Sequence, residues 1–229
     1  MAVKCGINYE LFNINKDKTI IFLHGWGSNK EVMKVFKDYF DEYKLLFIDM
    51  PGFGKSMTDE VWDTHKYAKK IDDFLNQLKI DKYCIIGHSF GGKVAVLLNP
   101  KYLVLLSSAG ILEPKPFSVR LKIKIFKLLK IFRLSKLKNL FVSNDVKGMS
   151  ENMYQTFKNV VNEDFSEYFR KCGSEVLVFG AYGDKAVSIN SVKKQAELLN
   201  TKAILLEGDH YFFLKQPQVV ADKIKQFLV

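Results

Sequence analysis

Gly87-His88-Ser89-Phe90-Gly91-Gly92 decides the reading of this chain. It follows an apolar, strand-like run, Tyr83-Cys84-Ile85-Ile86, and opens a helix-like one, Lys93-Val94-Ala95-Val96-Leu97-Leu98. A serine between two glycines at a strand-to-helix turn forms a nucleophile elbow. The turn is so tight that the positions two before and two after the serine must be small. It holds the serine strained, with its hydroxyl exposed above the sheet. The Gly-x-Ser-x-Gly string alone is common; its strand and helix flanks make it specific.

Two further stretches stand where such a serine needs them. Thr19-Ile20-Ile21-Phe22-Leu23 reads as a buried strand, and His24-Gly25-Trp26-Gly27 follows at once. A glycine-rich loop there can aim backbone N–H groups at a developing oxyanion. Towards the other end, the strand-like Val176-Leu177-Val178-Phe179-Gly180 precedes Asp184. The strand-like Ala203-Ile204-Leu205-Leu206 precedes Gly208-Asp209-His210. The order Ser89, Asp184, His210 therefore emerges, each residue following a predicted strand.

With these residues in view the chain resembles the α/β-hydrolase fold superfamily nearly end to end. That order is the family's and not that of the chymotrypsin or subtilisin types. Asp49-Met50-Pro51-Gly52-Phe53-Gly54-Lys55-Ser56 resembles the family's Asp-x-Pro-Gly-x-Gly-x-Ser segment. Glu207 to Pro217 resembles its histidine loop. Within the family the chain is similar to small capped serine hydrolases of the meta-cleavage-product hydrolase and carboxylesterase kind. Those hydrolyse C–C bonds of vinylogous diketo acids, or esters. Two departures stand out: Asp209 occupies a position that is often Gly, and the helix after the elbow must end before Pro100, about one to two turns short of the family's habit.

The remaining pattern predicts an α/β fold with a mostly parallel, doubly wound sheet. A hairpin is expected over Val3–Asn13, then strands Lys18–Leu23, Lys44–Ile48, Lys82–Ile86, Tyr102–Leu106, Glu175–Phe179 and Lys202–Leu206. Helices are expected over Ser28–Phe40, Thr64–Leu78, Asn190–Leu199 and Gln218–Leu228, with Ser28 and Asn29 as candidate N-caps. Between Glu113 and Gly173 the alternation stops. A helical cap is expected there, inserted after the sixth strand, so that 1–112 and 173–229 form the core and 113–172 the cap. One cap helix is read from Phe117 with Leu121, Ile125, Leu128, Leu129 and Phe132 as its stripe. A second lies near Glu151–Asn162 with Met153, Phe157, Val160 and Val161 on one side.

The 229 residues suffice for one large core, and 48% hydrophobic with 26% charged residues is a globular composition. Three widely spaced cysteines, Cys5, Cys84 and Cys172, suggest no disulfide framework and fit a reducing cytoplasm. The first residues lack the apolar stretch of a signal peptide, and no apolar run approaches the ~20 residues that span a bilayer. The net charge is +10, yet Lys115 to Lys138 alone holds nine basic residues and no acidic one. Elsewhere 26 Lys and Arg face 25 Asp and Glu, which argues against a nucleic-acid binder. Segment 115–138 admits three readings: a solvated helix face, a groove for acidic substrates including an acyl carrier protein, or contact with an anionic lipid surface.

The chemistry expected is nucleophilic catalysis without metal or cofactor. Ser89 is the nucleophile, His210 its base and Asp184 the carboxylate that orients the imidazole. The backbone N–H groups of Trp26 and Phe90 form the oxyanion hole. His24 is expected to brace that loop. His24, Lys93, Arg120 and Arg170 are candidate substrate contacts, the three cations as a clamp for a carboxylate-bearing C–C substrate. Ester hydrolysis is preferred, C–C hydrolysis is the alternative, and a non-catalytic ligand-binding protein is the reading from another class.

Overall fold

The computed structural model describes residues 2–113 and 149–228. The strands are β1 (Ala2–Lys4), β2 (Ile7–Phe12), β3 (Thr19–Leu23), β4 (Lys44–Ile48), β5 (Cys84–His88), β6 (Tyr102–Leu106), β7 (Glu175–Ala181) and β8 (Ala203–Leu206). They form one sheet in the order β1-β2-β4-β3-β5-β6-β7-β8. β1 pairs with β2, and β2 with β4, antiparallel; every later pair is parallel. This is the α/β-hydrolase architecture, with the insertion leaving the sheet after its sixth strand.

The helices are α1 (Lys30–Met33), α2 (Thr64–Leu78), α3 (Phe90–Leu98), α4 (Glu151–Val161), α5 (Ser166–Arg170), α6 (Ile189–Leu198) and α7 (Pro217–Phe227). They cover both faces of the sheet, and side-chain alternation in the strands sorts the core in two. On β3, Ile21 and Leu23 join one cluster with Ile71 of α2, Val94 of α3 and Val192 of α6. Ile20 and Phe22 join the other with Met33 of α1 and Val220 and Ile224 of α7. A strand covered on both faces reads as a continuous apolar run, which is why these strands stand out in the sequence.

Most predicted bounds lie within two residues of those observed. The helix expected over Ser28–Phe40 is a correction. Only α1 is α-helical, capped by the Asn29 side chain, and Lys34–Tyr39 is a 3₁₀ helix. With i and i+3 eclipsed in that tighter winding, Met33 and Phe36 fall on one face and both are buried. β5 starts two residues late and runs on to His88, because the parallel register with β6 continues to the pair His88–Leu106. α3 is short as expected: Asn99 closes it at φ 46° and Pro100 follows.

In the insertion, α4 matches its predicted helix, with one correction. Val161 is exposed, and Thr156 sits among the buried positions with Met153 and Val160. The helix read from Phe117, the basic segment 115–138 and Arg120 lie outside the described residues. Among the described residues no helix is long and apolar enough to cross a membrane.

Candidate active site

Ser89 stands between β5 and α3 at φ 51° and ψ −113°. That left-handed, strained backbone is tolerated because its surroundings fix it. Ser89 N–H donates to Leu106 C=O at 3.0 Å, and Ser89 C=O accepts from Ala109 N–H at 3.1 Å. A Cβ on Gly87 would lie 2.6 Å from the Gly91 carbonyl oxygen, so strand and helix approach too closely for any side chain there.

His210 and Asp184 meet on neighbouring loops. The Asp184 loop follows β7 and the His210 loop follows β8, and Gly183 N–H to Gly208 C=O, 2.9 Å, ties the two together. Buried Phe212 and Phe213 pin the histidine loop into the core. His210 Nδ1 lies 2.8 Å from Asp184 Oδ2. A carboxylate only accepts, so Nδ1 carries the proton and Nε2 is left as the basic nitrogen. The other carboxylate oxygen, Oδ1, accepts from the N–H groups of Ala186 at 2.8 Å and Val187 at 2.9 Å. Burial works to raise the pKa of Asp184. The His210 bond and the Val187 N–H outweigh it and hold the group below the ordinary carboxylate value. Asp209 is occupied elsewhere, accepting from Tyr211 N–H at 2.9 Å.

Phe90 is the first residue of α3, so its N–H has no carbonyl of its own helix to bond. The Trp26 loop lies against the elbow: a Cβ on Gly25 would come within 3.2 Å of Ser89 Cβ. The Trp26 ring packs on Phe53, Phe90 and Phe157 at centroid distances of 4.9, 5.4 and 5.4 Å. A cleft of about 740 Å³ opens beside this loop, with Trp26, Phe53, Met57, Met149, Met153 and Tyr211 among its walls.

The other candidate contacts have different partners. His24 is fully buried; its Nδ1 is 2.7 Å from Gly25 C=O and its Nε2 accepts from Met50 N–H at 3.0 Å. It thus joins the His24–Gly27 loop to the loop after β4, and burial lowers its pKa to about 4, keeping it neutral. Lys93 is buried too. Its ammonium donates to Val160 C=O at 2.6 Å and to Glu163 at 2.8 Å, so it is a structural cation rather than an open clamp. Arg170 pairs with Glu167 on the surface of α5.

Asp49 is the residue whose role the motif hid. Its carboxylate accepts from the N–H of Lys30 at 2.8 Å and of Lys55 at 3.0 Å, and from the buried Lys30 ammonium at 3.2 Å. Gly54, at φ +56°, has to be glycine because a Cβ would strike that carboxylate. The Asp49–Ser56 stretch is therefore a folded buttress behind one wall of the cleft. Among the described residues no group of three or more His, Cys, Asp or Glu is placed to hold a metal ion.

Comparison with known proteins agrees with this fold. The family model of the alpha/beta hydrolase fold matches residues 18–117. A pimeloyl-acyl-carrier-protein methyl ester esterase of Wigglesworthia glossinidia brevipalpis is 24% identical over 252 aligned positions, covering 91% of this chain and 93% of that protein. Esterase YbfF of Escherichia coli is 31% identical over 88 residues, 38% of this chain and 35% of its own. Relatives above 30% identity, that one among them, are matched over about a third of their length. Among solved structures, an esterase from Exiguobacterium antarcticum superposes with a TM-score of 0.76 at 21% identity, over 97% of this chain and 95% of the other. The chain therefore has the α/β-hydrolase fold, and over 18–117 it is similar to that family's model.

Proposed function

We propose that this protein is a serine hydrolase that cleaves carboxylic esters of small to medium acyl groups. The observation that carries the reading is the Asp184–His210 pair, with Nε2 left basic, on loops beside a serine held at positive φ. His210 Nε2 removes the proton from Ser89 Oγ as the oxygen attacks the ester carbonyl carbon. The carbonyl oxygen takes the negative charge and is bound by the N–H groups of Phe90 and Trp26. His210 returns the proton to the departing alcohol, and water then attacks the acyl-Ser89 ester with the same base.

The cleft next to the oxyanion loop sets aromatic and methionine side chains beside polar ones, Ser56, Thr58 and Asp59 among them, so it can take the apolar and the polar part of a small ester. The Wigglesworthia relative is by name a methyl ester esterase, which favours the same bond class. Carbon–carbon hydrolysis of a diketo acid is the weaker reading. It calls for a free cation; of the candidates, Lys93 and Arg170 among the described residues are both engaged by glutamates, and Arg120 lies outside them. Three free cysteines fit a reducing compartment such as the cytoplasm.

Hydrolysis of p-nitrophenyl esters from acetate to decanoate, with wild type and Ser89→Ala compared, tests the reading. The variant is expected to lose at least about 10⁴-fold in kcat, with the chain-length optimum sizing the cleft. Esters left untouched by wild type, with no labelling of Ser89 by a fluorophosphonate, would exclude serine catalysis.

A further inference from the structure

We propose that His88 is a positioning residue that holds the His210 loop in register with Ser89. This rests on the serine hydrolase reading above. His88 is the last residue of β5, adjacent to Ser89 and wholly buried. Its Nε2 lies 3.0 Å from the backbone carbonyl oxygen of His210. A carbonyl only accepts, so Nε2 carries the proton and donates. The His88 ring also packs on the rings of His210, Tyr211 and Phe213 at 4.6, 4.9 and 5.0 Å.

Packing alone does not call for a histidine here. Once Nε2 donates, Nδ1 is the bare nitrogen, and it is buried without a hydrogen-bond partner. An apolar side chain of similar size would fill the space and remove that stranded nitrogen. What such a chain would lose is the bond reaching from the nucleophile strand to the base, leaving the His210 carbonyl without this donor. The ring also lies against the oxyanion loop, since a Cβ on Gly25 would be 2.9 Å from Nδ1 and 3.2 Å from Ser89 Cβ. Nucleophile, base and oxyanion loop therefore all abut one imidazole. Burial first, and the neighbouring His210 second, push the His88 pKa down to about 3. It stays uncharged and does not compete with His210 for the reacting proton.

Two variants of nearly equal volume separate the donor from the packing: His88→Gln places an amide N–H where Nε2 stood, and His88→Met does not. With the preferred p-nitrophenyl ester, H88M is expected to lower kcat about tenfold or more with KM little changed, because a base displaced by a fraction of an ångström still leaves the cleft intact. H88Q should recover most of the loss. Proton NMR reads the same point without turnover: the low-field Nδ1 proton shared by His210 and Asp184 should weaken or vanish in H88M and persist in H88Q. A folded H88M with wild-type kcat and signal, or an H88Q no better than H88M, overturns the proposal. If H88M does not fold, His88→Leu serves as the variant without a donor. An inert wild type unlabelled at Ser89 would sink the serine hydrolase reading instead, and the NMR comparison would still decide whether His88 holds the loop.

Discussion

Asp184 shows how much one side chain can fix. One carboxylate oxygen faces the imidazole and the other caps two backbone N–H groups of its own loop. Asp184→Asn should therefore act on catalysis and on stability together. With the tautomer of His210 no longer enforced, kcat is expected to fall by about 10³- to 10⁴-fold, read on the best ester. The pKa of Asp184 is depressed in the folded protein. Its contribution to stability is thus complete above the ordinary value of 3.8 and is lost as pH falls through the lower folded value. Urea denaturation between about pH 6 and pH 2.5 should show wild type losing stability more steeply than the variant at the acid end. Equal slopes would mean that the carboxylate is not held down by these bonds. At this scale the sequence exposes Ser89, Asp184 and His210, because each follows a strand in a turn of recognisable chemistry. It does not expose Lys93, whose partner Glu163 is 70 positions away.

Among the elements, α4 is the one whose second face was hidden. Its apolar stripe is visible in the sequence. Its polar row is not: Asn152, Thr156 and Asn159, with Glu163 one turn beyond, bond the chain from Asp59 to Thr64. The spacing of four, three and four residues is that of one helix face, and every partner but the Thr64 hydroxyl is backbone. Backbone acceptors and donors leave no trace in residue type, so no pattern announced them. The row ends on Lys93 of α3, where burial works against the ammonium and Glu163 opposes that effect. Removing one partner of such a pair strands a charge. Glu163→Gln should cost about 3 kcal/mol or more of unfolding free energy. Lys93→Met keeps the packed stem and removes the charge, and should cost clearly less. The double variant should lie nearer Lys93→Met than the sum of the two, and thermal or urea unfolding of the three decides it.

At the scale of the molecule, the end of the insertion is continuous with the main core. Phe165 and Phe169 are buried in the cluster that holds Ile85 of β5 and Val94 of α3. Gly110 approaches the Phe169 ring so closely that a Cβ there would lie 2.9 Å away. Phe169→Ala, although outside the sheet, should cost about 3–5 kcal/mol. It should shift one cooperative transition rather than create a second, seen as coincident near- and far-ultraviolet dichroism curves. A separate early step would mean that this part of the insertion melts independently of the sheet.

What the chain determines by itself is local. Continuous apolar runs mark strands covered on both faces, small residues mark the elbow, and turn chemistry after β7 and β8 marks the acid and the base we propose. Those features are set by sterics and burial within a few residues, so they survive in one dimension. Tertiary structure alone decides which groups face each other. His88 reaches His210 across 122 positions, and Asp49 gathers the loop that backs the cleft. Each such contact depends on how parallel strands set their loops side by side at one edge of the sheet. No spacing in the sequence encodes that distance.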